Sequence, residues 1–129
     1  MLSFFWPCRS ARLDDLDVQT RRIEKVPPEA EDKAQELFRS WLSPNQRTQY
    51  ERYGHFEVVG SNSGRRYRIG KGFVFNVHEL DAFGLVARSW CFTIEGVATG
   101  DVNLAQKIAL ETFESEVLAV ANRKGTVWR

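Results

Sequence analysis

The stretch HFEVVGSNSGRRYRIGKGFVFNVHELDAFGLVARSWCFTI, residues 55–94, decides the fold, because period-two alternation and glycine-centred turns recur along it with no helical interruption. Successive side chains of a strand point to opposite faces, so alternation marks a half-buried strand. Phe56 and Val58 alternate with His55, Glu57 and Val59 over residues 55–60, and Tyr67 and Ile69 alternate with Arg66 and Arg68 over residues 65–70. Ser61, Asn62, Ser63 and Gly64 form the hairpin between them, with Asn62 and Gly64 able to take positive φ. A third strand over residues 73–80 sets Phe73, Phe75 and Val77 on one face. Asp81, Ala82, Phe83 and Gly84 then turn the chain into a fourth, where Val86, Trp90, Phe92 and Ile94 share a face. Connections this short predict an antiparallel meander, since a parallel pair needs a crossover of about a dozen residues or more.

Working outward, helices are predicted on both sides. Ala34, Leu37, Phe38 and Trp41 recur at i, i+3, i+4 and i+7 and predict a helix over residues 29–42, opened by Glu29, Glu31 and Asp32, which suit the positive end of its dipole. Ser43, Pro44 and Gln46 form a capping-box start for a second, shorter helix that ends near Tyr53, where Gly54 can take the left-handed conformation. Beyond Gly100, Asp101 is the expected N-cap of a long helix to about residue 123. On it Asn103, Lys107, Glu111, Glu114 and Asn122 are expected to face water, while Ala105, Ile108, Ala109, Phe113, Val117, Val120 and Ala121 face the sheet. The reading is α+β: an N-terminal helix pair, a four-stranded antiparallel β-meander and a long C-terminal helix packed on the sheet.

The 129 residues suit one domain over residues 29–124, preceded by a charged N-terminal tail with a short aromatic start, residues 1–28, and followed by a C-terminal tail, residues 125–129. A hydrophobic content of 43% excludes disorder over most of the length. Eighteen Lys and Arg against seventeen Asp and Glu leave no global field to draw the chain onto nucleic acid or anionic lipid, so such binding requires a local patch. The apolar start around Phe4, Phe5 and Trp6 is too short for a signal peptide or a membrane span and suits packing on the domain or a partner, with peripheral membrane contact as the alternative. Cys8 and Cys91 are far apart, which argues against a disulfide and for a reduced, cytoplasmic setting.

Residues 41–123 carry the segments WLSPNQRTQY, YGHFEVVGSNSGRRYRI, NVHELD, WCF and GDVNLAQKIALE, then Ala121 and Asn122. In these the chain resembles a set of small, mostly uncharacterised proteins of bacteria and their phages. Two departures stand out: Ile94 falls where a proline is expected, and the first forty residues find no counterpart. The resemblance implies the same fold and a bacterial or phage origin, and carries over no site, cofactor or activity.

Arg65, Arg66, Arg68 and Lys71 concentrate charge on one hairpin, where alternating Arg could follow a nucleic-acid backbone with Tyr67 for stacking. Against this, Tyr67 shares parity with Ile69 and is expected to be buried, and Glu57 is placed to pair with an arginine. Cys91 with His55 or His78 could form a thiolate and base, but its parity fits a small packed hydrophobe. Cys8, Cys91, His55 and His78 lack the close spacing of a zinc site, so neither metal nor cofactor is expected. Glu111, Glu114 and Glu116 could suggest acid/base carboxylates, but Glu111 and Glu114 read as the wet side of a helix, and Gly70, Lys71 and Gly72 read as a tight connection rather than a phosphate cradle. On the second face of the sheet Val59, Val74, Leu80 and Leu85 mix with Arg66, Asn76 and His78 and predict a partner interface together with Phe4, Phe5 and Trp6. The expectation is a cytoplasmic binding or adaptor protein, not an enzyme, that contacts an unknown protein partner or a second copy of itself. A nucleic-acid accessory protein is the alternative, and a Cys-dependent enzyme the third reading.

Overall fold

The structure is a computed structural model that describes residues 6–7, 26–72, 75–93 and 97–125. Its elements are β1 (Trp6–Pro7), α1 (Pro28–Trp41), α2 (Pro44–Tyr53), β2 (His55–Val59), β3 (Arg66–Gly70), β4 (Val77–Leu80), β5 (Val86–Thr93), α3 (Thr99–Val120) and β6 (Asn122–Gly125). The expected α+β class and meander hold, with β2, β3, β4 and β5 paired antiparallel in sequence order. Two further strands line the free side of β5: β1 opposite Phe92 and Thr93, and β6 opposite Arg88 to Cys91. The last helix therefore stops at Val120, short of the expected 123. The third strand begins at Val77 rather than at 73, because Phe75 has a left-handed φ of 47° that no strand accommodates. Phe73 lies outside the described residues.

Local chemistry sets the helix pair as expected. Ser43 Oγ accepts from the Gln46 amide at 3.2 Å while Gln46 Oε1 accepts from the Ser43 amide at 3.0 Å, and Gly54 closes α2 at φ 75°. The same helix also shields an edge of the sheet. Gln46 Nε2 donates to the Glu57 carbonyl at 2.9 Å, and Gln49 Oε1 accepts from the Glu57 amide at 2.9 Å. Two glutamines thus occupy the hydrogen-bonding groups with which β2 could recruit a foreign strand.

All three helices lie on one face of the sheet. Phe38 and Leu42 of α1, Tyr50 of α2, and Ala109, Leu110 and Val117 of α3 pack on Phe56, Val58, Tyr67, Ile69, Val77, Trp90 and Phe92. Phe38 meets Tyr50 edge-on at 5.0 Å and Phe56 at 5.4 Å. Only half of the apolar stripe expected on α1 is interior, since Leu37 and Trp41 are exposed. A Cβ on Gly100 would lie 2.7 Å from the Ala34 backbone, so glycine sets the close approach of α1 and α3. Asp101 is not the N-cap of α3. The Glu31 carboxylate, reaching from α1, accepts from the amides of Thr99 at 3.0 Å and Gly100 at 3.3 Å.

The polar stripe of α3 faces inward, the reverse of expectation, with Asn103, Lys107 and Glu114 buried. Near the start of the helix Gln106 Nε2 donates to Asn76 Oδ1 at 3.1 Å and to the Phe92 carbonyl at 2.7 Å, while Asn76 Nδ2 reaches Gln106 Oε1 at 2.8 Å. Near its end the helix breaks at Phe113 (φ −133°, ψ 43°) because Ser61 is wedged into its ladder. Ser61 N–H takes the Leu110 carbonyl at 3.0 Å, Ser61 Oγ accepts from the Glu114 amide at 3.2 Å, and Asn62 Oδ1 accepts from the Ser115 amide at 3.0 Å. In return the hairpin grips the Glu114 carboxylate: Asn62 N–H (2.9 Å), Ser63 N–H (2.8 Å), Ser63 Oγ (2.6 Å) and Tyr67 OH (2.6 Å) all donate to it. Burial by itself would raise the Glu114 pKa, but these bonds outweigh it and hold the group below the ordinary value. Tyr67 is pushed up, by burial first and then by the carboxylate.

Candidate functional site

With every helix on one side, the opposite face of the sheet holds the candidate site. Strand register sets Glu57, Arg68, His78 and Ser89 in one row across β2 to β5. His55 is opposite Gly70, one pleat away on the same face, with its ring stacked on Tyr53 at 5.5 Å. Leu80 belongs to the next row but is buried, and Asn76 turns into the interior amide network. The expected mixed apolar face is in fact dominated by basic groups. Val74 lies outside the described residues.

The four basic residues of the hairpin are not a free comb. Arg65 and Arg66 are sequence neighbours and therefore project to opposite sides: Arg65 Nη1 lies 3.6 Å from Glu79 and Arg66 Nη1 lies 3.3 Å from Glu57. Glu79 is itself buried and held by Arg88 at 3.1 Å and Trp90 Nε1 at 3.1 Å. Lys71 sits over the Tyr50 ring at 5.2 Å. Arg68 differs from these three, for its Nε is buried and takes no hydrogen-bond partner. His55 Nδ1 is in the same condition, while His78 Nδ1 meets Ser89 Oγ at 2.8 Å. Burial first, and Arg68 second, lower the pKa of both histidines. His55 and His78 are weighed from sequence as bases for Cys91 and as zinc ligands, and the register instead sets both on the face of Arg68.

Exposed apolar side chains stand at the end of β2 and in the β4–β5 turn. Val59 is 58% exposed, Leu85 66% and Phe83 88%. Val59 is opposite Arg66, and Arg66 Nη2 lies 3.5 Å from where a Cβ on Gly84 would stand, which brings the β4–β5 turn to the end of β2. That turn is held open by Asp81 Oδ1, which accepts from the amides of Phe83 at 2.8 Å and Leu85 at 3.0 Å. Val59 and Leu85, read from sequence as part of a partner face, are exposed, and Phe83, read only as a turn residue, is the most exposed of the three. Phe4 and Phe5 lie outside the described residues, and Trp6 joins the sheet through β1.

The cysteine expectation is overturned. Cys91 is disulfide-bonded, and no cysteine among the described residues is free; Cys8 lies outside the described residues. Cys91 Sγ also accepts from the Phe75 amide at 3.1 Å. A sulfur held in a disulfide supplies no thiolate. Among the described residues no group of His, Cys, Asp and Glu is arranged to hold a metal ion, and no helix is long and apolar enough to cross a membrane. Comparison with protein-family models, curated proteins and solved structures finds no match.

Proposed function

We propose that this chain is a small binding module that works through protein–protein contacts and not through catalysis. The observation that carries the reading is the exposure of three large apolar side chains, Val59 at the end of β2 and Phe83 and Leu85 in the β4–β5 turn that Arg66 reaches at Gly84. Apolar side chains grouped at a surface mark an interface, and a rigid turn presents them without further ordering cost. The partner is a second protein or a second copy of this chain. A nucleic-acid role has weaker support, because Arg65, Arg66 and Lys71 already have partners within the fold. The disulfide at Cys91 favours an oxidising setting over the cytoplasm expected from cysteine spacing.

The test is a double variant, Phe83→Ser with Leu85→Ser, compared with the parent by sedimentation for self-association and by cross-linking for a second protein. Loss of association with an unchanged circular dichroism spectrum supports the reading. Association of equal strength in both proteins refutes this surface.

A further inference from the structure

The tip of the β2–β3 hairpin stands in for part of α3. In an unbroken helix each amide donates to the carbonyl four residues before it, so the Leu110 carbonyl would take the Glu114 amide and the Glu111 carbonyl the Ser115 amide. Here the Leu110 carbonyl takes Ser61 N–H at 3.0 Å, while the Glu114 and Ser115 amides donate to Ser61 Oγ at 3.2 Å and Asn62 Oδ1 at 3.0 Å. Three of the four groups that make two helical bonds are therefore held by the hairpin, at the point where Phe113 leaves helical geometry.

This junction has no apolar part to hold it. Residues 60–65 read GSNSGR, and Ser61, Asn62, Ser63 and Gly64 are exposed. If the tip withdraws, its amides reach water and α3 closes both of its own bonds, so neither side keeps an orphaned group. Past the break α3 buries one apolar side chain, Val117, so little packing resists its realignment. The tip itself is tied as a unit, by Gly60 N–H to the Arg65 carbonyl at 2.8 Å and Gly64 N–H to the Gly60 carbonyl at 3.1 Å. Val58 and Tyr67 below it are in the core, which lets the strands stay paired while the tip moves. What opposes withdrawal is the Glu114 carboxylate, which accepts from the Asn62 and Ser63 amides, Ser63 Oγ and Tyr67 OH. Gly60 makes room for it, because a Cβ there would run into the carboxylate group.

We propose that residues 60–65 are a latch with two positions, one docked in the break of α3 and one withdrawn with α3 continuous, and that the Glu114 carboxylate is its catch. The element is two-state because each position satisfies the backbone groups of both partners, whereas intermediate positions leave them unpaired. Val59 and Arg66 flank the tip, and Arg66 reaches the β4–β5 turn at Gly84, so withdrawal changes how Val59 stands relative to Phe83 and Leu85. An effect on association through these side chains rests on the protein-binding reading; the latch itself does not.

The experiment compares backbone NMR spectra of the full chain with those of Gly60→Ala and Glu114→Gln. Gly60→Ala crowds the carboxylate out and keeps every donor, at a φ that does not require glycine. Glu114→Gln keeps the shape of the side chain and removes its charge. Both should move the Cα shifts of residues 112–114 to helical values and remove the Ser61 to Leu110 contact. Amide exchange at residues 61–64 should speed up by roughly ten-fold or more, since bonds to a charged acceptor are lost. Protection in β3, β4 and β5 should be kept. A bend that persists at Phe113 after the tip has released shows that the helix is broken by its own packing. A sheet that loses protection together with the tip shows one cooperative unit. Either result overturns the proposal, as does a tip that stays docked in both variants, and none of them touches the protein-binding reading.

Discussion

The two faces of this sheet differ in how their charged groups are partnered, although Asn103 Oδ1 on the helix side is also buried without a hydrogen bond. On the helix-covered face the Glu114 carboxylate has four donors and the Gln106 amide bonds both Asn76 and the Phe92 carbonyl. On the outer face Arg68 Nε and His55 Nδ1 are enclosed with none. Satisfied buried networks hold a fold in one arrangement, whereas an unsatisfied buried cation weakens it and stays useful only if a ligand completes it. Stability is thus concentrated on the first face and binding potential on the second.

That contrast can be broken by substitution. Trp90→Ala should cost about 4 kcal/mol in urea unfolding, because a buried ring is lost and Glu79 loses its indole donor; a neutral result would remove Trp90 from the core. Glu114→Ala should cost about 3 kcal/mol, since two loop amides and the Tyr67 hydroxyl lose their acceptor. Hydrogen exchange in that variant should speed up at residues 61–64 and at the break in α3, and unchanged protection there would show that the carboxylate does not hold the loop. Gln49→Ala should cost only about 1 kcal/mol, by freeing the Glu57 amide on the edge strand. Arg68→Met should be neutral or slightly stabilising, by up to about 1 kcal/mol; a loss as large as that of Glu114→Ala would end the distinction between the faces.

Stability against pH sharpens the same comparison. His55 and His78 have folded pKa values below their ordinary 6.5, so the unfolded chain takes up protons first. Their contribution is complete above about pH 6.5 and declines as pH falls through that value toward the folded pKa values. Glu114, below its ordinary 4.5, adds a second loss at more acid pH, and Tyr67, raised above 10.0, adds one on the alkaline side. Arg68→Met should flatten the first decline and leave the second, as read by unfolding free energies between pH 3 and 8.

Much of the fold was legible because its signals are local. The Ser43 cap, the Gly54 terminus, the alternation around Phe56 and Tyr67, and the buried Trp90 each depend on residues a few positions apart, and the structure matches the reading at each. Polarity on α3 was misread because a polar residue counts as wet only until a buried partner exists. The partners of Glu114 lie 47 to 52 residues away in the chain. A still longer separation hid the trans cap from Glu31.

Sequence alone thus determined the class, the meander, the helix pair and the parity of β2, β3, β4 and the Trp90–Phe92 part of β5, because dihedral preference and side-chain alternation act over neighbouring residues. Tertiary structure alone decided which way the polar stripe of α3 faces, which arginine of the hairpin is left without an ion pair, and that a carboxylate from α1 caps α3. These depend on which distant groups arrive first at a given donor or charge, and chain order does not encode that.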